Sequence, residues 1–344
     1  MINQSEQRQT KCKETKMNLK NKIYQMFILG LDGTNLQDNK NLEKALQEGL
    51  GGVIFFTQNI KTPARIKELI NDIKAQTKIT PFLSIDQEGG RVERTENIHN
   101  GKKYLSAKFA AEQGEDFLKT QTEQIARELK DYGFNLNFAP CLDVNTNPNN
   151  PIIGERAFSN DVNEVIKYGK IVTETYIENG IIPCSKHFPG HGDAAFDSHI
   201  ALPKIDLSLE EMEKFHIEPF KKVTAPMTMV AHMHCTAFDQ EEIPSSLSKN
   251  VVQKYLIEKL NYKGLIITDD MVMGGVLAKE TDPSTICAQA IKAGVDILLY
   301  RGSDDQTIEI IENLAKLADV DEELRANIET SYDKIIDFKN HYFA

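Results

Sequence analysis

The sequence predicts an α/β protein, a closed (β/α)8 TIM barrel in a single domain. Three observations carry this. Eight short apolar runs, each bounded by Gly, Pro, Asp or Asn, recur along the 344 residues. Segments of helical period lie between most of them. Charged and imidazole side chains gather at the C-terminal ends of several runs, where the loops of such a barrel converge. An open doubly wound sheet is the alternative, but it normally carries a Gly-rich nucleotide turn after an early strand, and GLDG at Gly30 to Gly33 is too short for that.

The runs in order are MFILGL from Met26, GGVIFF from Gly51, PFLSID from Pro81, NLNFAP from Asn135, IPCSKH from Ile182, MTMVAH from Met227, LIITDD from Leu265 and ILLY from Ile297. TPARIKELINDIKAQ from Thr62 and SKNVVQKYLIEKL from Ser248 read as amphipathic helices, with Ser248 a natural N-cap. The stretch from Val320 to Phe338 reads as one or two closing helices. Neither repeat nor low-complexity linker divides the chain. We therefore expect a flexible tail over residues 1–18 and one catalytic barrel domain over residues 19–344.

Composition narrows the function. The apolar content of 40% is enough for a sizeable core, and a net charge of −11 with interspersed signs argues against nucleic acid as the main partner. Five scattered cysteines, none in a CxxC pair, suit a reducing compartment. The polar, cationic N-terminal stretch lacks the apolar run of a signal peptide or membrane span. The expectation is a cytoplasmic protein with no membrane association, monomeric by default.

The polar residues at the run ends are the candidates for chemistry. Asp86 ends the third run, Lys186 and His187 the fifth, His232 the sixth, and Asp269 with Asp270 the seventh, while Arg301 follows the eighth. A lone acid there reads as a helix cap, but convergence from separate strands favours a site. Arg91 and Arg156 sit in Gly-bearing loops that can reach the same mouth, and arginine's planar fork suits sugar hydroxyls or carboxylates. The bland alternative for each is a surface ion pair with a neighbouring acid.

The stretch KHFPGHGDAAFDSH, residues 186–199, admits three readings, a metal site, a proton relay or a rigid surface loop. His187, His191, Asp193, Asp197 and His199, with His232 and His234 further on, contain ligands enough for zinc, but their spacing matches no HExxH-type signature. The second reading is a proton relay, and the third a rigid surface turn with a solvated histidine. Asp197 and His199 lie two residues apart, so in an extended loop they face the same way, and a carboxylate beside an imidazole makes a general acid near neutral pH. Lys186 and His187, at a strand end, should be fixed donors on the pocket floor, with His191 and Asp193 holding the loop structurally. A carboxylate at Asp269, opposite a proton donor, is what a retaining glycosidase needs. Asp270 competes, because paired acids can instead serve a substrate-assisted mechanism in which an acetamido group is the nucleophile, although alternation along a strand should let only one of the two point squarely inward.

Taken together and in order, FILGLDG, GGVIFFTQNI, SIDQEGGRVER, KHFPGHGD with DSH, and ITDDM resemble family 3 glycoside hydrolases, from about Ile23 to Ile335. The similarity is strongest to the single-barrel cytoplasmic β-N-acetylglucosaminidases of peptidoglycan recycling. That resemblance implies Asp269 as nucleophile, His199 as acid/base with Asp197 as its dyad partner, and Asp86, Arg91, Arg156, Lys186 and His187 as sugar-binding residues. It implies no metal and no organic cofactor. The usual SDD followed by LSM is TDDMVM here, a departure beside the nucleophile. The expected activity is removal of terminal N-acetylglucosamine from muropeptide fragments. Phosphorolysis and β-glucosidase activity stay open as rivals, and a zinc hydrolase or a non-catalytic sugar-binding barrel lies further off.

Overall fold

The computed structural model describes residues 18–194, 202–277 and 282–343. All eight apolar runs become strands of one closed parallel barrel: β1 Phe27–Gly30, β2 Gly52–Phe55, β3 Phe82–Ile85, β4 Leu136–Asn137, β5 Ile182–Phe188, β6 Met227–Val230, β7 Leu265–Asp270 and β8 Ile297–Tyr300. Each strand pairs with its sequence neighbours, and β8 closes onto β1 with Phe27 opposite Leu298. Strand residues other than Asp269 and Asp270 are buried, because the barrel interior and the surrounding helices both exclude water. That is why the runs read as continuous apolar stretches rather than alternating ones.

The helices form where the sequence places their signals. Thr62 Oγ1 accepts the Arg65 N–H at 3.3 Å, Pro63 occupies the first turn, and helix Pro63–Ala75 buries Ile66, Leu69, Ile70 and Ile73. Ser248 Oγ accepts the Val251 N–H at 3.1 Å, as a cap should. The following segment Asn250–Lys259 nevertheless winds wider than the expected α-helix, with Lys254 N–H bonding the Lys249 carbonyl five residues back at 3.0 Å. Two helices close the chain, Asp305–Val320 and Glu322–Phe343. Among the described residues, no helix is long and apolar enough to cross a membrane.

The last helix seals the barrel floor, the end opposite the strand C-termini. Lys339 is buried there, its Nζ donating to Gln25 Oε1 at 3.0 Å and the Gly51 carbonyl at 2.8 Å while lying 4.6 Å from the Phe82 ring centre. No carboxylate is among those partners, and burial pulls its pKa down to about 7.

Two irregularities at the other end shape the site. Along β5, Ser185 pairs with Thr228 but Phe188 with Val230, so three steps face two. Along β7, Ile267 pairs with Ile297 but Asp270 with Leu299, again three against two. An extra residue in a strand breaks its in–out alternation and re-aims side chains. The consecutive pairs Lys186–His187 and Asp269–Asp270 occupy these places, and all four line one cavity.

Candidate active site

The cavity has a volume of about 320 Å³ and opens at the C-terminal ends of the strands. That is within the range of small-molecule sites, and it lies where barrels of this kind place them. A larger cleft of about 590 Å³ lies between Glu241–Lys249 and Ile286–Lys292. Its lysines Lys249 and Lys292 are tied to Glu323 and Asp321 on the surface, and among the described residues it gathers no buried charged set.

A four-charge network forms one wall of the cavity. Lys186 Nζ lies 2.7 Å from Asp86 Oδ1 and 2.5 Å from Glu88 Oε1. Arg156 meets Glu88 with two parallel bonds, Nε to Oε2 and Nη2 to Oε1, each 2.8 Å. Two cations and two anions balance, which is what allows them to be buried. Burial alone would raise the Glu88 pKa, but Arg156 and Lys186 outweigh it and hold the carboxyl well below its usual range. For Lys186, burial pulls down while Asp86 and Glu88 prevail and raise its pKa. Both cations stay charged, with their positions fixed.

His187 is oriented from both sides. Its Nδ1 lies 2.7 Å from Asp143 Oδ2, and its Nε2 lies 3.2 Å from Arg156 Nη2. Arginine only donates, so Nε2 accepts and Nδ1 carries the hydrogen given to Asp143. The other Asp143 oxygen accepts the His191 N–H at 2.5 Å. Burial opposes the charge on Asp143, but His187 and its hydrogen bond hold its pKa well below the ordinary value. Cys141, Asp143 and His187 also bring a thiol, a carboxylate and an imidazole nitrogen within 4.8 Å of one another, a spacing a metal ion can use. The donor set does not fit one. Arg156 commits Nδ1 to its hydrogen, and burial and then Asp143 raise the Cys141 thiol far from its thiolate.

Asp269 projects into the cavity from the end of β7, and its Oδ1 accepts the Asp270 N–H at 2.8 Å, which sets the carboxylate's orientation. Burial pushes its pKa up, but His187, His232, the Asp270 N–H and Lys186 together bring it below the usual value. It is therefore an ionised, oriented carboxylate at neutral pH. Asp270 differs: burial raises its pKa to about 6, against the Val272 N–H and Arg301. Its Oδ1 accepts the Val272 N–H at 3.3 Å and the Arg301 N–H at 3.2 Å, and its Oδ2 lies 3.3 Å from Arg301 Nε. Both acids reach the cavity, against the expectation from alternation, because of the extra residue in β7. Lys186 of the charged wall acts on Asp269, whereas the cation acting on Asp270 is Arg301.

Asp86, Arg156, Lys186, His187 and Asp269 are thus brought together as the sequence suggests. Arg91 is not. It is exposed, with Nη1 on the Pro151 carbonyl at 2.9 Å, and the arginine of that loop lining the cavity is Arg94. His232 is buried behind the lining, its Nδ1 2.7 Å from Ser246 Oγ. Asp197 and His199 lie outside the described residues. Glu88, Arg94 and Asp143 escaped the sequence reading. The available signal for Asp143 was an acid between apolar neighbours, CLDV, just past the fourth run.

An α/β barrel whose strand ends assemble an ionised carboxylate, a balanced network of two cations and two anions, and a tautomer-fixed histidine has the makeup of a barrel glycoside hydrolase. Residues 18–338 match the Glycosyl hydrolase family 3 N terminal domain, and the chain belongs to that family. It is 33% identical over 273 residues to Beta-hexosaminidase A of Pseudoalteromonas piscicida, covering 73% of this chain and 45% of that protein. With the Beta-hexosaminidase of Haemophilus influenzae (strain ATCC 51907 / DSM 11121 / KW20 / Rd) it shares 30% identity over 298 residues, covering 84% of this chain and 82% of that one. A solved glycoside hydrolase family 3 beta-N-acetylglucosaminidase from Paenibacillus sp. str. FPU-7 superposes with a TM-score of 0.86 at 29% identity, over 94% of this chain and 62% of that one. This chain therefore spans less than half of the Pseudoalteromonas protein and most of the Haemophilus one.

Proposed function

We propose that this protein is a retaining exo-β-N-acetylglucosaminidase acting on N-acetylglucosamine-containing saccharides, peptidoglycan-derived muropeptides among them. The observation that carries the reading is Asp269: an ionised carboxylate, oriented by the Asp270 N–H, facing the sugar-sized space bounded by Lys186 and His187. The names of the relatives point to the same substrate class.

In this reading Asp269 attacks the anomeric carbon as His199, tuned by Asp197, protonates the leaving oxygen. The sugar is held as a covalent ester, and water activated by the same histidine releases it with retained configuration. Asp86, Lys186, His187, Arg156 and Arg91 are the proposed sugar-binding residues. Arg91 would have to leave the Pro151 carbonyl to serve. Neither metal nor organic cofactor takes part. We place the catalytic unit at residues 19–344. We also propose a monomer working in the cytoplasm, a compartment that suits the free thiols of Cys141, Cys184, Cys235 and Cys287.

The test is release of 4-nitrophenol from its β-N-acetylglucosaminide and its β-glucoside, in chelator, with and without phosphate. The expected result is faster N-acetylglucosaminide cleavage, phosphate-independent products, and activity lost in Asp269→Ala. A smaller loss is expected in His199→Ala, because this leaving group needs little protonation. Preference for the glucoside, a sugar 1-phosphate product or inactivation by chelator would each overturn part of the reading.

A further inference from the structure

His191 was expected to hold its loop, and its main chain does so. The His191 N–H donates to Asp143 Oδ1 at 2.5 Å, and the His191 carbonyl accepts from Asn150 Nδ2 at 2.9 Å and the Ala194 N–H at 3.2 Å. On either side the backbone admits only glycine. Gly190 has φ +120°, and a Cβ there would stand 2.7 Å from His216 Cβ, while one on Gly192 would stand 1.7 Å from the Val144 carbonyl oxygen.

The ring takes no part in this clamp. It is 2% exposed and lines the cavity shared by Asp86, Lys186, His187 and Asp269, its centroid 5.9 Å from that of His187 in an edge-on arrangement. Neither Nδ1 nor Nε2 has a hydrogen-bond partner among the described residues. Burial and then the neighbouring His187 lower its pKa to about 4, so at neutral pH the ring is an uncharged donor and acceptor. A buried imidazole with both nitrogens unpartnered is costly unless something arrives to meet it. A backbone held this firmly fixes where that meeting takes place.

We propose that His191 is a substrate-binding residue of this site, its imidazole exchanging a hydrogen bond with a hydroxyl or acetamide group of the sugar ring held over Asp269. This rests on the reading of the cavity as the sugar pocket. The ring is a neutral, directional contact in a site whose other polar groups are mostly charged, so it discriminates among ring substituents rather than adding to overall attraction.

The experiment measures kcat, KM and Tm for the wild type, His191→Phe and His191→Gln on 4-nitrophenyl β-N-acetylglucosaminide and on its 2-hydroxy, 3-deoxy, 4-deoxy and 6-deoxy counterparts. His191→Phe fills the space without the hydrogen bond and is expected to lower kcat/KM on the parent by about 10- to 100-fold. His191→Gln is expected to recover part of this. The penalty should all but vanish on the one analogue lacking the partner group, which identifies that group. Unchanged kcat/KM in both variants, an equal penalty on every analogue, or a fall in Tm with kcat and KM preserved would overturn the proposal. Failure of the sugar-pocket reading is distinguishable, because the wild type would then turn over none of these substrates.

Discussion

Replacing Glu88 by glutamine tests the four-charge wall where it is most tightly balanced. Glu88 takes two bonds of 2.8 Å from Arg156 and one contact of 2.5 Å from Lys186, and its side chain is 5% exposed. With Asp86 and Glu88 against Lys186 and Arg156 the network sums to zero; in Glu88→Gln it carries one uncompensated positive charge. Breaking a buried pair by removing one partner costs roughly 3–5 kcal/mol. Glutamine keeps one acceptor oxygen, so the lower end applies, about 3 kcal/mol. For a domain of this size that is a fall in Tm of about 6 °C, at about 2 °C per kcal/mol. Arg156 also loses the fork that aims its Nη2 at His187, so kcat/KM should drop by about 10- to 100-fold from misplacement alone. Urea denaturation and steady-state kinetics on the same preparations provide both numbers. A stability change below about 0.5 kcal/mol, the size of an ordinary surface substitution, together with unaltered kcat/KM would refute the claim that this network is buried, balanced and positioning.

Two further outcomes follow from the same physics. In Asp143→Asn the amide can offer one oxygen where the carboxylate now serves both His187 Nδ1 and the His191 N–H, so one of these bonds is lost and the aim of the His187 ring is no longer held from both sides. We expect about a 10- to 100-fold loss of kcat/KM with the overall fold kept by circular dichroism; full activity would contradict the orientation argument. At the barrel floor, burial lowers the folded pKa of Lys339 to about 7, well below the ordinary lysine value. Between about 7 and the ordinary lysine value the unfolded chain binds more protons, so this group makes stability rise with pH. Buried Cys184 and Tyr262 have raised pKa values, so their contribution is lost as pH climbs through their unfolded values, which restricts the clean window to about pH 7 to 8.5. Denaturant midpoints across that window should climb for the wild type more steeply than for Lys339→Met; parallel curves would refute the assignment.

The barrel was legible because burial on both faces turns each of its strands into an unbroken apolar run, and eight such runs survive the intervening helices. Lys186, His187 and Asp269 were legible for a related reason, as polar residues abruptly ending those runs. What stayed hidden depends on backbone detail. Arg91 and Arg94 are three apart in GGRVER, and their loop turns through Gly89 at φ +91° and Gly90 at φ +60° before Val92 bridges back to Gly89. No periodicity governs such a turn, so spacing could not say which arginine faces inward. The inward aim of both Asp269 and Asp270 likewise depends on one extra residue in β7, a register shift that composition does not announce. Glu88 and Asp143 act through other side chains, and their partners lie 68 and 44 residues away in the chain.

The most direct test of the central claim is to trap the intermediate. The wild type is treated with a 5-fluoro N-acetylglucosaminyl fluoride, which slows release of a glycosyl ester, then digested and mapped by mass spectrometry. The account predicts one glycosyl adduct, on the peptide containing Asp269, that disappears in Asp269→Asn. An adduct on Asp270 or elsewhere, or rapid turnover of cleavable substrate with no adduct under any quench, would contradict it.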